Sequence, residues 1–184
     1  MNTQELDRII QSFVASESIS ASTLRSQGAK GVVAVARQYL SGLDLQSFAV
    51  FNHEDFDRQL DECTIALQNC FPKGARNWGA ARKALNIFLR NAFYNRFLSS
   101  HFNLDAATAF YEVPMDSYVA SELKGFDKQK VLPNWPGVKH LDKQTNAVYQ
   151  SFLGQIAAQF ALNRVHLDVI LWQKLGRTLI GCST

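Results

Sequence analysis

The chain has 184 residues, 47% hydrophobic and 19% charged, a globular balance that excludes a disordered chain and allows one domain with a substantial core. Its formal net charge of +3 is too small for a bulk polycationic field, so any nucleic-acid surface must come from local clustering. No apolar run approaches the roughly 18 residues of a membrane span, and the opening MNTQELDRIIQSF lacks the basic stretch and apolar block of a secretory signal. A cytoplasmic protein without membrane attachment is expected.

Cys63, Cys70 and Cys182 are odd in number and show no C-x-x-C spacing, which supports neither a disulfide framework nor a zinc knuckle. No metal and no cofactor are expected, and Cys63 and Cys70, seven apart on one helical face, read as core thiols. The abundance of Asn, Gln and Ser beside a modest charge content is unlike a hyperthermophile.

Apolar residues recur at helical spacing between few prolines and glycines, so the chain reads as all-α. A first helix covers about residues 3 to 15. A second is expected to start at the Ser20/Ser22 caps and to carry Val32, Val33, Val35 and Leu40 up to Gly42. The third, from about Glu54 to Cys70, sets Phe56, Leu60, Cys63 and Leu67 on one stripe and stops at Phe71-Pro72.

The turn PKGARNWG then leads into a long central helix from about Gly79 to Leu98, whose buried side holds Ala81, Leu85, Phe88, Leu89 and Ala92. Beyond Pro114 a helix starts near Met115, and KGFDKQKVLPNWPGVKHLDK is a loop broken by two prolines. Two helices close the chain, one with the stripe Val148, Phe152, Ile156 and Phe160, the other from about Arg164 to Leu175 before Gly176. Without an internal repeat or linker, residues 1 to 184 read as one domain, with two helical lobes as the alternative.

The stretch from Phe71 to Asp116 is the informative one. In such a hairpin, turn N–H groups and the positive end of the next helix point outward together, which suits a phosphate, and Lys73 and Arg76 add charge. Taken alone, the turn also fits a plain helical hairpin, Lys83 a solvated helix lysine, and Asp116 a helix cap.

The order of these parts resembles a known family. G79-A-A-R-K83-A-L-N-I-F-L89 is similar to the second half of the helix-hairpin-helix in endonuclease III-like DNA glycosylases, with the family's lysine at Lys83. V113-P-M-D116-S-Y-V119 is similar to the segment that supplies that family's carboxylate, which falls on Asp116. The run from Val165 through Gly176-Arg177, followed by Cys182, resembles the superfamily's last helix. The usual Leu-Pro-Gly-Val-Gly wording is missing, and one terminal cysteine excludes a four-cysteine iron-sulfur cluster.

The resemblance implies a compact helical bundle with its site in a groove, a monomer, and double-stranded DNA carrying a modified base as partner. Gly74, Asn77, Gly79 and Ser117 then join Lys73 and Arg76 as implied DNA contacts. The step from 83 to 116 is longer than in most members, and looks more like the archaeal 8-oxoguanine glycosylase branch. That branch's base-contacting positions match Gln27 on the early helix and Asp168 and Trp172, one turn apart, on the last.

These residue types suit the reaction. Breaking a base–sugar bond builds positive charge on the sugar, which a carboxylate at Asp116 would stabilise. Lys83 would be the nucleophile at the anomeric carbon, forming an imine that makes strand cleavage at the abasic site possible. The extruded base needs a stacking face, here Trp172, and edge readers, here Gln27 and Asp168.

Two substrates fit the resemblance: glucosylated hydroxymethylcytosine of phage DNA, an antiviral role taken by related small bacterial glycosylases, and 8-oxoguanine, a repair role. The glucosylated base is taken first. Outside this family, R96-F-L-S-S-H101 matches the Arg-x4-His spacing of HEPN-type ribonucleases, with Phe97 where a polar residue is usual. A non-enzymatic helical interaction protein is the third reading. Activity requiring His101 and RNA, against activity requiring Lys83, Asp116 and DNA, separates them.

Overall fold

The computed structural model describes residues 2–173, which form eight α-helices and no strand. In chain order these are α1 (Thr3–Ser18), α2 (Val32–Ser41), α3 (His53–Cys70), α4 (Trp78–Tyr94), α5 (Arg96–Phe102), α6 (Ser117–Leu123), α7 (Lys143–Gln159) and α8 (Arg164–Trp172), with short 3-10 turns at Lys73–Ala75 and Val138–His140 among others. None is long and apolar enough to cross a membrane. The expected end of the last helix at Leu175, with Gly176, Arg177 and Cys182, lies outside the described residues.

Two apolar clusters divide the helices. The larger gathers α1 to α5 around Leu40, Phe48, Phe56, Leu60, Leu85, Phe88 and Tyr111. The smaller holds Val113, Met115, Val119, Leu123, Leu153, Ile156, Leu167 and Leu171 from the segment before α6 and from α6, α7 and α8, with Trp78 packed against it. Helix α4 touches both, so whatever projects from its side toward the smaller cluster lies between two lobes.

Two helices depart from their expected bounds, and one cysteine from its expected burial. The second helix starts at Val32, not near Ser22. Gly28 (φ +104°) and Gly31 (φ +86°) hold left-handed backbone conformations that end any helix before them, while the Ser20 hydroxyl serves a local turn, bonding the hydroxyls of Ser22 and Thr23 and accepting the Thr23 N–H at 3.3 Å. The long helix from Gly79 stops at Tyr94 instead of Leu98, because Asn95 leaves helical geometry and its side chain accepts the Leu98 N–H, starting α5 afresh. Cys63 is buried as expected, but Cys70, in the last turn of α3, is exposed.

The face of α7 also differs. Its buried residues are Asn146, Tyr149, Gln150, Leu153, Ile156 and Ala157, whereas Val148 is 45% exposed. The polar pair decides the rotation. Gln150 accepts the Val113 N–H at 3.0 Å and donates to the Val113 carbonyl at 2.7 Å, and Asn146 donates to Glu112 at 3.2 Å. Unpaired backbone groups and a buried carboxylate are expensive, so these bonds outweigh the gain from turning one more valine inward.

Glu112 is the centre of this network. Arg82 of α4 meets it in a two-pronged pair, Nε at 2.9 Å and Nη2 at 3.1 Å, and sends Nη1 to Thr64 and Asp61 of α3, each at 3.0 Å. Asn86 adds a bond to Glu112 at 2.8 Å. Both ions are nearly sealed from solvent, and Glu112 is satisfied from α4 and α7 together. Removing one partner of such a pair leaves a buried charge, at a cost of about 3–5 kcal/mol. Glu112→Leu and Arg82→Met are each expected to lose stability on that scale in urea titrations, and the double variant to lose less than the sum of the two; additive losses would show that the two ions do not act as a unit.

Candidate functional site

Arg82 and Lys83 are neighbours on α4 and point about 100° apart. Arg82 turns into the polar core, and Lys83 turns to the gap between the lobes. Glu112 and Asp116 stand four residues apart on the buried segment between the lobes, so anchoring the first delivers the second. Lys83 Nζ lies 3.1 Å from Asp116 Oδ2, with the two side chains 10% and 12% exposed. Asp116 is also the N-cap of α6, its Oδ1 accepting the N–H groups of Tyr118 and Val119, both at 3.0 Å. One carboxylate thus starts a helix with one oxygen and faces an amine with the other.

This pair sits in the wall of a cavity of about 420 Å³. Ser22, Thr23 and Arg25 line it from the turn before α2, Ile87 from α4, Ser117 and Tyr118 from α6, Val138 from the loop and Trp172 from α8. Trp172 is 54% exposed, and its ring lies 5.5 Å from that of Tyr118, tilted by 32°. Lys83, Asp116, Ser117 and Trp172 therefore come together.

Asp168 and Gln27 do not line this cavity. Asp168 is fully buried and ion-paired with Arg90 of α4, and Arg164, one turn earlier on α8, donates to the Phe110 carbonyl at 2.9 Å. Burial pushes the Asp168 carboxyl above the ordinary carboxylate range, the Arg90 guanidinium pulls the other way, and the nearby Asp116 charge adds to the rise. Gln27 lies in a turn, not on a helix. Its amide donates to the Arg25 carbonyl at 2.8 Å, and Asn77 donates to the Gln27 carbonyl at 2.9 Å.

The hairpin between α3 and α4 is built by packing. A side chain at Gly28 would overlap the Gly74 carbonyl oxygen, and one at Gly79 would stand 2.7 Å from Leu141 Cβ, so these glycines let three backbone segments meet. The Ala75 and Asn77 N–H groups are spent on Pro72 and Ala75 carbonyls. Arg76 donates to the Phe71 carbonyl at 3.1 Å while remaining exposed like Lys73. Trp78 anchors the turn, with the Arg82 guanidinium 5.2 Å from its ring centre.

The segments that meet here share a charge pattern. Residues 21–31, 71–83 and 128–141 contain Arg25, Lys30, Lys73, Arg76, Arg82, Lys83, Lys128, Lys130 and Lys139, and no Asp or Glu. They adjoin through Gly28 with Gly74, Asn77 with Gln27, and Gly79 with Leu141. These acid-free segments form a rim of cations beside the cavity, of which Arg25 and Lys83 line it together with Asp116.

Several of these residues carry no motif. Arg25 lies in an irregular turn, and Glu112 and Arg90 act through partners far away in sequence. Lys83, Ile87, Arg90 and Tyr94 do share one helical face by spacing alone, and that face fronts this cavity and the one beside it. Arg96 and His101 flank a shallow surface depression with Phe97 and Ser100, and His101 Nε2 lies 3.1 Å from Asp7 Oδ2.

The chain matches no protein-family model, no curated protein and no solved structure.

Arg90→Gln tests the buried pair. A carboxyl whose folded pKa is raised contributes stability that is fully present below the unfolded value of about 4 and is lost as pH rises through the folded value. The variant is expected to melt well below wild type at pH 7, and the gap to narrow toward pH 4.5. A gap independent of pH would mean that Arg90 does not hold the Asp168 charge.

Proposed function

We propose that this protein is a DNA glycosylase that extrudes a modified base and breaks its bond to the sugar, on a helix-hairpin-helix glycosylase scaffold. The observation that carries the reading is the amine of Lys83 and the carboxylate of Asp116, brought from two lobes to 3.1 Å in the wall of a cavity. Support comes from its aromatic wall at Trp172 and Tyr118 and from the acid-free rim, since phosphate contacts dominate DNA affinity and base extrusion needs a pocket with a stacking face.

In this reading the sugar of the extruded nucleotide sits between the two groups. As the base leaves with the bonding electron pair, positive charge grows on the anomeric carbon, and the Asp116 carboxylate lowers the energy of that state. A neutral Lys83 amine adds to the same carbon. Asp116 lies near enough to take a proton from that nitrogen and pass it to the ring oxygen as the C1′–O4′ bond breaks, which opens the sugar and leaves a protonated imine between the carbon and Lys83. Loss of a proton from the adjacent sugar carbon then expels the 3′ phosphate, giving abasic-site lyase activity. Ser117, Lys73 and Arg76 hold the backbone around the extruded nucleotide, as does Arg25.

Borohydride added during incubation with a cleavable duplex is expected to trap a covalent protein–DNA complex that Lys83→Gln does not form. Asp116→Asn keeps a side chain able to cap α6 and is expected to bind DNA while losing about 10²–10³-fold in turnover. Full activity in both variants would end the proposal.

The rim makes a separate forecast. Replacing Arg25, Lys30 or Lys139 with Ala should weaken binding to all duplexes alike and lower the slope of log affinity against log salt by about one each. A salt-independent affinity would rule out backbone recognition by this face.

A further inference from the structure

A cavity of about 730 Å³ lies between α1, the turn that follows α2 and the last residue of α5. It shares no lining residue with the cavity beside Lys83. From Lys83 to Tyr94 helix α4 runs about 16 Å, at 1.5 Å per residue, and α5 begins only after it. The cavity therefore belongs to another part of the larger cluster.

Its wall offers more acceptors than donors. Asp7 of α1 is 9% exposed; its Oδ2 lies 3.1 Å from His101 Nε2, and its Oδ1 is sealed from solvent with no hydrogen-bond partner among the described residues. The two oxygens are chemically equivalent, and rotation about the Cβ–Cγ bond hands either one to His101 and leaves the other for a donor in the cavity. Gln11, one turn further along α1, is also buried, and its amide donates to the Leu40 and Leu43 carbonyls at 2.9 and 2.8 Å. With both N–H groups spent, Gln11 has only an acceptor oxygen left to offer.

Charge points the same way. The cavity takes in the C-terminal end of α2, where the carbonyls carry partial negative charge, and no basic side chain stands in that helix's last turn. Asp44 adds an exposed carboxylate whose Oδ1 accepts the Gln46 N–H. Arg8 is the one cation among the lining side chains, and it too is exposed. An anion would meet two carboxylates and the negative end of a helix, and no group of three metal-ligating side chains occurs among the described residues. An ammonium brings a positive charge and three donors to a carboxylate that is costly to leave unmatched, and Leu43 and Phe102 offer an alkyl chain apolar contact.

We propose that this cavity binds a small aliphatic amine, its ammonium group held by Asp7, Gln11 and Asp44 and its alkyl chain lying against Phe102. The site is independent of the glycosylase reading and uses none of its residues. Its occupant ties α1, the end of α2 and α5 together, so it also stabilises the larger cluster by mass action.

The test is an NMR titration of the protein with 1-butylamine, with butyrate and 1-butanol as partners of the same length that differ in charge. The amine is expected to give saturable shifts confined to the backbone amides of residues 4–12, 41–44 and 102, and the other two compounds to leave those signals in place. Asp7→Asn is expected to weaken the amine at least ~10-fold, and Asp44→Asn about 3-fold. Melting curves accompany both variants, and the exposed Asp44 position, where asparagine can still accept the Gln46 N–H, keeps the test decisive if Asp7→Asn fails to fold. Lys83→Gln is expected to bind the amine as wild type does. Shifts that do not saturate, an equal response to 1-butanol or butyrate, an affinity unchanged in the folded variants, or a loss of binding in Lys83→Gln would each overturn the proposal.

Discussion

The ion pair between Arg82 and Glu112 is the constraint on which the arrangement depends. It joins α4, in the larger cluster, to the segment that opens the smaller one, and it does so in a buried setting where neither ion tolerates the loss of the other. Once Glu112 is held from α4 and α7, and Val113 is gripped on both backbone groups by Gln150, little freedom is left to the chain as far as Asp116. The geometry of the candidate site is therefore inherited from a structural pair one residue away along α4.

That dependence explains what was and was not legible in the sequence. The all-α class, α1, α3, the start of α4 and the approximate place of α8 followed from apolar spacing, because there the buried residues are apolar. Periodicity misled at α7, where Asn146 and Gln150 face inward for hydrogen bonds that only the folded neighbours reveal. It also missed the break at Asn95 and the late start of α2, where one amide side chain and two left-handed glycines override the apolar pattern. Lys83 and Asp116 were found as residues through resemblance; their meeting depends on Glu112, which no motif singles out.

The hairpin glycines show a similar division between type and use. Glycine at 74 and 79 reads in sequence as freedom to expose N–H groups to a phosphate. In the fold, both positions admit another backbone, from residues 28 and 138–141, and the charges that would face DNA stand on side chains around that junction. Close backbone packing brings three separate acid-free stretches together, so a protein with a net charge of only +3 gathers cations where the cavity lies. Under the proposed function, phosphate contacts would fall to the rim as a whole more than to one turn.

The two adjacent ion pairs of α4 are informative by contrast. Arg82 and Glu112 are enclosed by Thr64, Asn86 and Asn146, and every prong has a partner inside the fold. A pair of that kind orders a core. Lys83 and Asp116 line a cavity large enough for an organic ring system, and the cap on α6 is made by the other oxygen of Asp116. Asparagine could make that cap equally well. Capping therefore does not require a charge at this position, and burying an ion pair is a poor way to stabilise a lobe contact that apolar residues would hold as firmly. Under the proposed glycosylase function, the pair serves a third group that enters the cavity, one that develops positive charge beside the carboxylate and offers the amine a carbon to attack.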